Sequence, residues 1–108
     1  MRHDIEKTRV VIWGTGGHAG GVINYNREWL VNVDIVCFVN NSHQEGAEEF
    51  FYGREVISPQ ELKGKSFDYI LILSSYIEEI TKQIISMLGI PAEKIITMEN
   101  LAKISVKQ

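Results

Sequence analysis

The run Gly14-Thr15-Gly16-Gly17-His18-Ala19 follows a short apolar stretch, Val10-Val11-Ile12-Trp13, and opens a segment with helical spacing. A glycine-rich turn between a strand and a helix is the setting in which such residues bind phosphate. Gly14 permits the tight turn, and Gly16 lets the backbone approach a phosphate with no Cβ in the way. Ala19 is small enough for close helix–strand packing. The unpaired N–H groups of the first helical turn, with the helix dipole, complete an anion site. The plain alternative is a tight turn that binds nothing, but the glycines here exceed what a turn requires. ATP hydrolysis is not expected, because the run has no Gly-Lys-Ser/Thr to reach a terminal phosphate and its metal.

A dinucleotide would also require an acid at the end of the second strand to take both ribose hydroxyls. Asn40-Asn41 stand there instead, and Asp34 sits at the opposite end of that strand. An amide can still donate to and accept from a ribose or a base edge. No Arg follows for a 2′-phosphate; Ser42 and His43 are weak substitutes. His18, at a helix N-terminus, is expected to be neutral and available to a ligand or as a cap. Ser74 and Ser75 read as a strand end and a helix cap, with phosphate or sugar contact as the sharper alternative. Trp13 suits the core, or a stack on a base. Glu45, Glu48 and Glu49 read as a solvated loop. His3 and His43 have no partners at metal-ligand spacing. The candidate ligand-binding residues are therefore Gly14, Thr15, Gly16, Gly17, His18, Asn40, Asn41, Ser74 and Ser75, with no catalytic or metal-binding residue assigned.

These residues depend on the elements around them. Residues 10–13, 33–39, 52–57, 68–73 and 94–98 read as strands, from their length, apolar content and β-branching. Ala19, Val22, Ile23, Asn26, Trp29 and Leu30 recur at helical steps. Gly20 and Gly21 in that helix suggest a backbone packed close to a strand or ligand. Residues 40–51 read as a polar loop with at most a turn of helix. Ser58-Pro59 offers an N-cap and a proline at the first helical position, opening a short helix through Leu62. Ser75-Tyr76-Ile77-Glu78 matches a capping box. Behind it, Ile77, Ile80, Ile84, Ile85 and Leu88 form the expected buried stripe, and Glu78 pairs with Lys82. Gly89 and Pro91 end the helix.

Strand–helix alternation predicts a Rossmann-like α/β fold in three layers. Its parallel sheet is expected to have five strands in the order 3-2-1-4-5. Ligands in such sheets bind beyond the carboxyl ends of the strands, where the winding reverses. That point lies between the first and fourth strands, flanked by Gly14–His18 on one side and Ser74–Tyr76 on the other.

The 108 residues fit one domain, residues 1–108. With 44% hydrophobic and 23% charged residues the composition is that of a globular chain. A net charge of −3 supplies no cationic field for nucleic acid or an anionic membrane. Cys37 stands alone in an apolar strand, which excludes an internal disulfide and points to a buried structural thiol. No run approaches a membrane span, and residues 1–9 lack the apolar centre of a signal peptide, so a cytoplasmic protein is expected.

The glycine-rich run, with the second strand ending Phe38-Val39-Asn40-Asn41, resembles the N-terminal nucleotide-sugar-binding domain of bacterial sugar O-acyltransferases of the sialic-acid O-acetyltransferase type. It is also similar to the Rossmann-like domains of nucleotide-sugar dehydratases of polysaccharide biosynthesis, and the likeness runs over residues 8–100. It implies that Gly14, Gly16, Gly17 and His18 meet phosphates. The acidic pair that meets the base in that family is here Asn40 and Asn41. The hexapeptide-repeat catalytic part is absent, so the resemblance implies a binding domain fused to, or acting with, a transferase or similar partner. The leading expectation is a nucleotide- or nucleotide-sugar-binding domain in bacterial surface-polysaccharide synthesis with no catalysis of its own. A nucleotide sugar is preferred to NAD(P) as ligand. The alternatives are an NAD(P)-binding redox or sensor domain and a scaffold that binds nothing.

Overall fold

The computed structural model describes residues 7–25, 33–97 and 100, with His18 and Tyr25 in backbone only. In chain order the elements are β1 (Thr8–Trp13), α1 (Gly17–Tyr25), β2 (Val33–Val39), β3 (Phe50–Phe51) and β4 (Arg54–Ile57). A 3-10 turn (Gln60–Gly64), β5 (Tyr69–Ile72) and α2 (Ile77–Lys82) follow. The helix of α2 widens into a π turn (Gln83–Met87), and a 3-10 turn (Ala92–Lys94) leads into β6 (Ile95–Ile96). Asn26, Trp29 and Leu30 of the expected first-helix stripe, Met98 of the expected last strand, and His3 lie outside the described residues.

The chain forms an α/β fold with a mostly parallel sheet in the order β3-β4-β2-β1-β5-β6. The expected five-stranded, all-parallel sheet of order 3-2-1-4-5 is corrected at one edge. Phe50 and Phe51, read as loop from sequence, pair antiparallel with Glu55 and Arg54. Tyr52 and Gly53, read as strand, form the turn between them, with φ of 50° and 78°. Burial drives this hairpin: Phe51 packs edge-on against Phe38 of β2, ring centroids 4.9 Å apart. The remaining pairs, β4 with β2, β2 with β1, β1 with β5 and β5 with β6, are all parallel.

Alternation along β1 splits the core into two faces. Val10 and Ile12 pack with Ala19 and Ile23 of α1, while Val11 and Trp13 pack with Leu62, Ile80 and Ile84. A bulge in β2 reverses its alternation. Val10 pairs with Ile35 but Val11 pairs with Cys37, leaving Val36 as the extra residue. One inserted residue exchanges the faces of everything beyond it. Ile35 and Phe38 thus share the α1 face, and Val36, Cys37 and Val39 share the other. Burial pushes the Cys37 thiol up to about 11, so this is a structural sulfur.

Helix α2 departs from its predicted cap and stripe. The cap position is Tyr76, with no side-chain cap, so the Ser75–Glu78 box does not form. Ile80 and Ile84 are buried and Leu88 half-buried, but Ile77 is 54% exposed and Ile85 41% exposed. Ile85 stands about 100° round the helix from Ile84 and so turns away from the sheet. Ile77 begins the helix beyond the strand ends. No ion pair joins Glu78 to Lys82 among the described residues. Gly89 ends the segment with φ of 69°, as its predicted role requires. No strand backbone lies within 4 Å of a Cβ placed on Gly20 or Gly21 among the described residues. A Cβ on Gly20 would meet only Tyr52 Oη at 3.6 Å and Phe51 Cζ at 3.9 Å, and one on Gly21 nothing within 4 Å.

Among the described residues no helix is long and apolar enough to cross a membrane.

Candidate functional site

The glycine-rich loop is built on the end of β1. Trp13 O accepts the Leu73 N–H at 2.9 Å, and the Gly14 N–H donates to Val39 O at 2.9 Å. The chain is thus wedged between the ends of β5 and β2. A Cβ on Gly14 would lie 2.4 Å from Leu73 O, and its φ of +130° disfavours any side chain. Glycine is obligatory here for packing alone. At Gly16 and Gly17 the reason differs. A Cβ there would meet nothing within 4 Å, so both face open space. Gly16 O accepts the Gly20 N–H at 3.0 Å, which starts α1. Helix geometry leaves the N–H groups of the first turn without intrahelical acceptors.

A cleft of about 550 Å³ opens beyond the carboxyl ends of β1, β2 and β5. Gly14, Thr15, Gly16 and Gly17 form one wall, Asn40, Asn41 and Ser42 a second, and Ser74, Ser75 and Tyr76 a third. Of the side chains proposed from sequence, only that of His18 lies outside the description; the rest converge on this cleft. Trp13 is buried in the core and shows an edge to the cleft.

Hydrogen bonds hold the polar wall in place. Asn40 Nδ2 donates to Thr15 Oγ1 at 2.6 Å, and its Oδ1 accepts the Ser42 N–H at 2.8 Å. Asn41 and Gln83 exchange amide bonds, Gln83 Nε2 to Asn41 Oδ1 at 2.9 Å and Asn41 Nδ2 to Gln83 Oε1 at 3.3 Å. Ser74 Oγ accepts the Tyr76 N–H at 3.1 Å, a turn-closing bond in place of the expected helix cap. His43 is buried, its Nδ1 2.7 Å from Glu49 Oε1, and Glu45, Glu48 and Glu49 are all exposed, as the solvated-loop reading expects.

Helix α2 and its π extension add Glu79 and Gln83, which were not singled out from sequence, and Ile80, which was read only as core. Glu79 and Gln83 are one turn apart, beside the buried Ile80 and Ile84. That i,i+4 spacing next to an apolar stripe was the available signal, but it reads equally as a solvated face. Among the described residues the lining includes no Lys or Arg. An anion here meets neutral N–H groups on one side and the Glu79 carboxylate on the other. Among the described residues no group of three or more His, Cys, Asp and Glu stands together as a metal site.

The family described as C2185-like, N-terminal, matches residues 6–96. No curated protein matches the chain. Its fold is similar to the crystal structure of UDP-D-quinovosamine 4-dehydrogenase from Vibrio fischeri, with a TM-score of 0.59 and 17% identity. That match covers 90% of this chain and 84% of the other. At such identity the likeness is one of fold.

Proposed function

The chain belongs to the C2185-like, N-terminal family, and we propose that it is a nucleotide-sugar-binding domain whose cleft takes the ligand's phosphates at the glycine-rich loop. The observation that carries the reading is the open backbone at Gly16 and Gly17, at the switch point of the sheet and at the head of α1. With no Lys or Arg among the described lining residues, phosphate is held by N–H groups and the helix dipole. The fold likeness to a UDP-sugar dehydrogenase is consistent with this reading. In this reading the domain does no chemistry itself. It serves bacterial surface-polysaccharide synthesis in the cytoplasm, beside a fused or separate transferase or dehydratase, as its resemblance to sugar O-acyltransferase domains implies.

Gly16→Val tests the reading, because the open space above Gly16 lets the variant fold. Calorimetry with UDP-glucose, NAD and coenzyme A should find UDP-glucose binding to the native protein and lost in Gly16→Val. Unchanged UDP-glucose affinity in the folded variant would remove phosphate from the loop. Binding of NAD in preference to UDP-glucose would favour the redox alternative, and binding of none the scaffold.

A further inference from the structure

We infer that Glu79 takes the hydroxyl groups of the ligand's sugar or ribose ring, the role that an acid at the end of β2 would otherwise fill. This rests on the nucleotide-sugar reading of the same cleft. At the end of β2, Asn40 has its amide N–H directed at Thr15 Oγ1 and its oxygen at the Ser42 N–H. Asn41 is engaged with Gln83 in both directions. Ser74 Oγ accepts from the backbone of Tyr76. Glu79 differs from all of these. It is exposed, it lines the cleft, and among the described residues its carboxylate has neither a hydrogen bond nor an ion pair. Glu78, the adjacent acid, shares the first turn of α2 but does not line the cleft.

A carboxylate is an acceptor only, with two oxygens, which matches the paired O–H donors of a vicinal diol. It also repels phosphate. With backbone N–H groups on the opposite wall, the two sides of the cleft favour opposite ends of one molecule. The phosphates are drawn to Gly16 and Gly17, and the hydroxyl-bearing ring to Glu79. The ligand class is a phosphorylated molecule with a vicinal diol, and the diol belongs either to the ribose or to the attached hexose.

Calorimetry of the full chain and Glu79→Gln tests this with UDP-glucose, UDP, 2′-deoxy-UDP and inorganic pyrophosphate. Glutamine keeps one acceptor oxygen without the charge, and UDP-glucose affinity should fall by about tenfold. Pyrophosphate, which has no diol, should bind equally well or more tightly once the repulsion is gone. A ribose contact makes UDP share the loss while 2′-deoxy-UDP is indifferent; a hexose contact leaves UDP indifferent. Unchanged UDP-glucose affinity in Glu79→Gln, with binding still abolished by Gly16→Val, would overturn the role of Glu79 and leave the nucleotide-sugar reading intact. Equal losses for UDP-glucose and pyrophosphate would make Glu79 a structural residue. Failure of the native protein to bind any of the nucleotides would overturn both.

Discussion

The side-chain amide of Asn40 donates to Thr15 Oγ1 at 2.6 Å and so fastens the end of β2 to the glycine-rich loop at the end of β1. The same side chain holds its own loop by accepting the Ser42 N–H at 2.8 Å. An asparagine at the position of a ribose-binding acid therefore acts first as a clip between two walls of the cleft. Direct reading of a ligand by Asn40 has to compete with these bonds.

Asn40→Ala removes both bonds and should cost about 1–2 kcal/mol, at roughly 1 kcal/mol per net hydrogen bond. Asn40→Asp should stay within about 0.5 kcal/mol of the native protein. The Thr15 hydroxyl can turn to donate, and the Ser42 N–H gains a charged acceptor. Because that carboxylate is engaged, Asn40→Asp should improve NAD affinity by less than about tenfold. Urea denaturation and calorimetry check both statements; an Asn40→Ala protein of native stability would show that the clip holds nothing.

Gly14 and Gly16 should respond oppositely to alanine. At Gly14 a Cβ would sit 2.4 Å from Leu73 O with φ of +130°, and both faults act against the backbone. Gly14→Ala is expected to destabilise by more than about 2 kcal/mol. Gly16→Ala meets open space and should change stability by no more than about 0.5 kcal/mol. Thermal or urea unfolding of the pair decides it. Equal effects would mean that the tight passage between β2 and β5 relaxes freely.

The strands that carry the cleft were legible because their apolar, β-branched runs stop at Gly14, Asn40 and Ser74. Alternation with helices then brought those stops to one end of the sheet. The β3–β4 hairpin was not legible. Its turn is Tyr52-Gly53, and tyrosine at positive φ gives none of the Asn-Gly or Asp-Gly signal. Only contact between Phe51 and Phe38, distant in sequence, makes the conformation worthwhile. For α2, isoleucine at 77, 80, 84 and 85 gives too wide a stripe to choose a face. Glu79 and Gln83 were missed for the same reason. Their place in the site depends on where α2 crosses the strand ends, and helical period does not specify a crossing point.

Glu61 resists protonation more than an ordinary glutamate does. Its carboxyl is held below the ordinary 4.5 chiefly because it accepts the Ser58 N–H, a bond of 2.8 Å. A depressed folded pKa gives stability that is present above 4.5 and lost as pH falls through the folded value. Glu61→Gln keeps an acceptor for that N–H but carries no charge. The native protein's advantage over Glu61→Gln should therefore hold above 4.5 and shrink as pH falls below it, measured as urea midpoints. A difference that stays constant from neutral pH to well below 4.5 would mean that the carboxylate charge is not what the Ser58 N–H stabilises.

Ser58→Ala separates the sequence reading of this turn from the structural one by sign. Read as an N-cap, the Ser58 hydroxyl would satisfy a helical N–H, and its loss would cost about 0.5–2 kcal/mol. The structure divides the labour differently. Ser58 supplies its backbone, N–H to Glu61 Oε1 at 2.8 Å and carbonyl to the Glu61 N–H at 3.1 Å, while its buried Oγ lies near the Glu61 carboxylate and makes no well-formed hydrogen bond among the described residues. A buried hydroxyl without a well-formed hydrogen bond leaves part of its desolvation cost, about 1–3 kcal/mol in full, uncompensated. Alanine keeps both backbone bonds and removes that cost, and the void left by one oxygen is small. Ser58→Ala should accordingly raise stability by about 1 kcal/mol, seen as a higher urea midpoint at unchanged slope. A loss of about 1 kcal/mol or more would restore the hydroxyl to its capping role and show that Oγ finds a partner in solution.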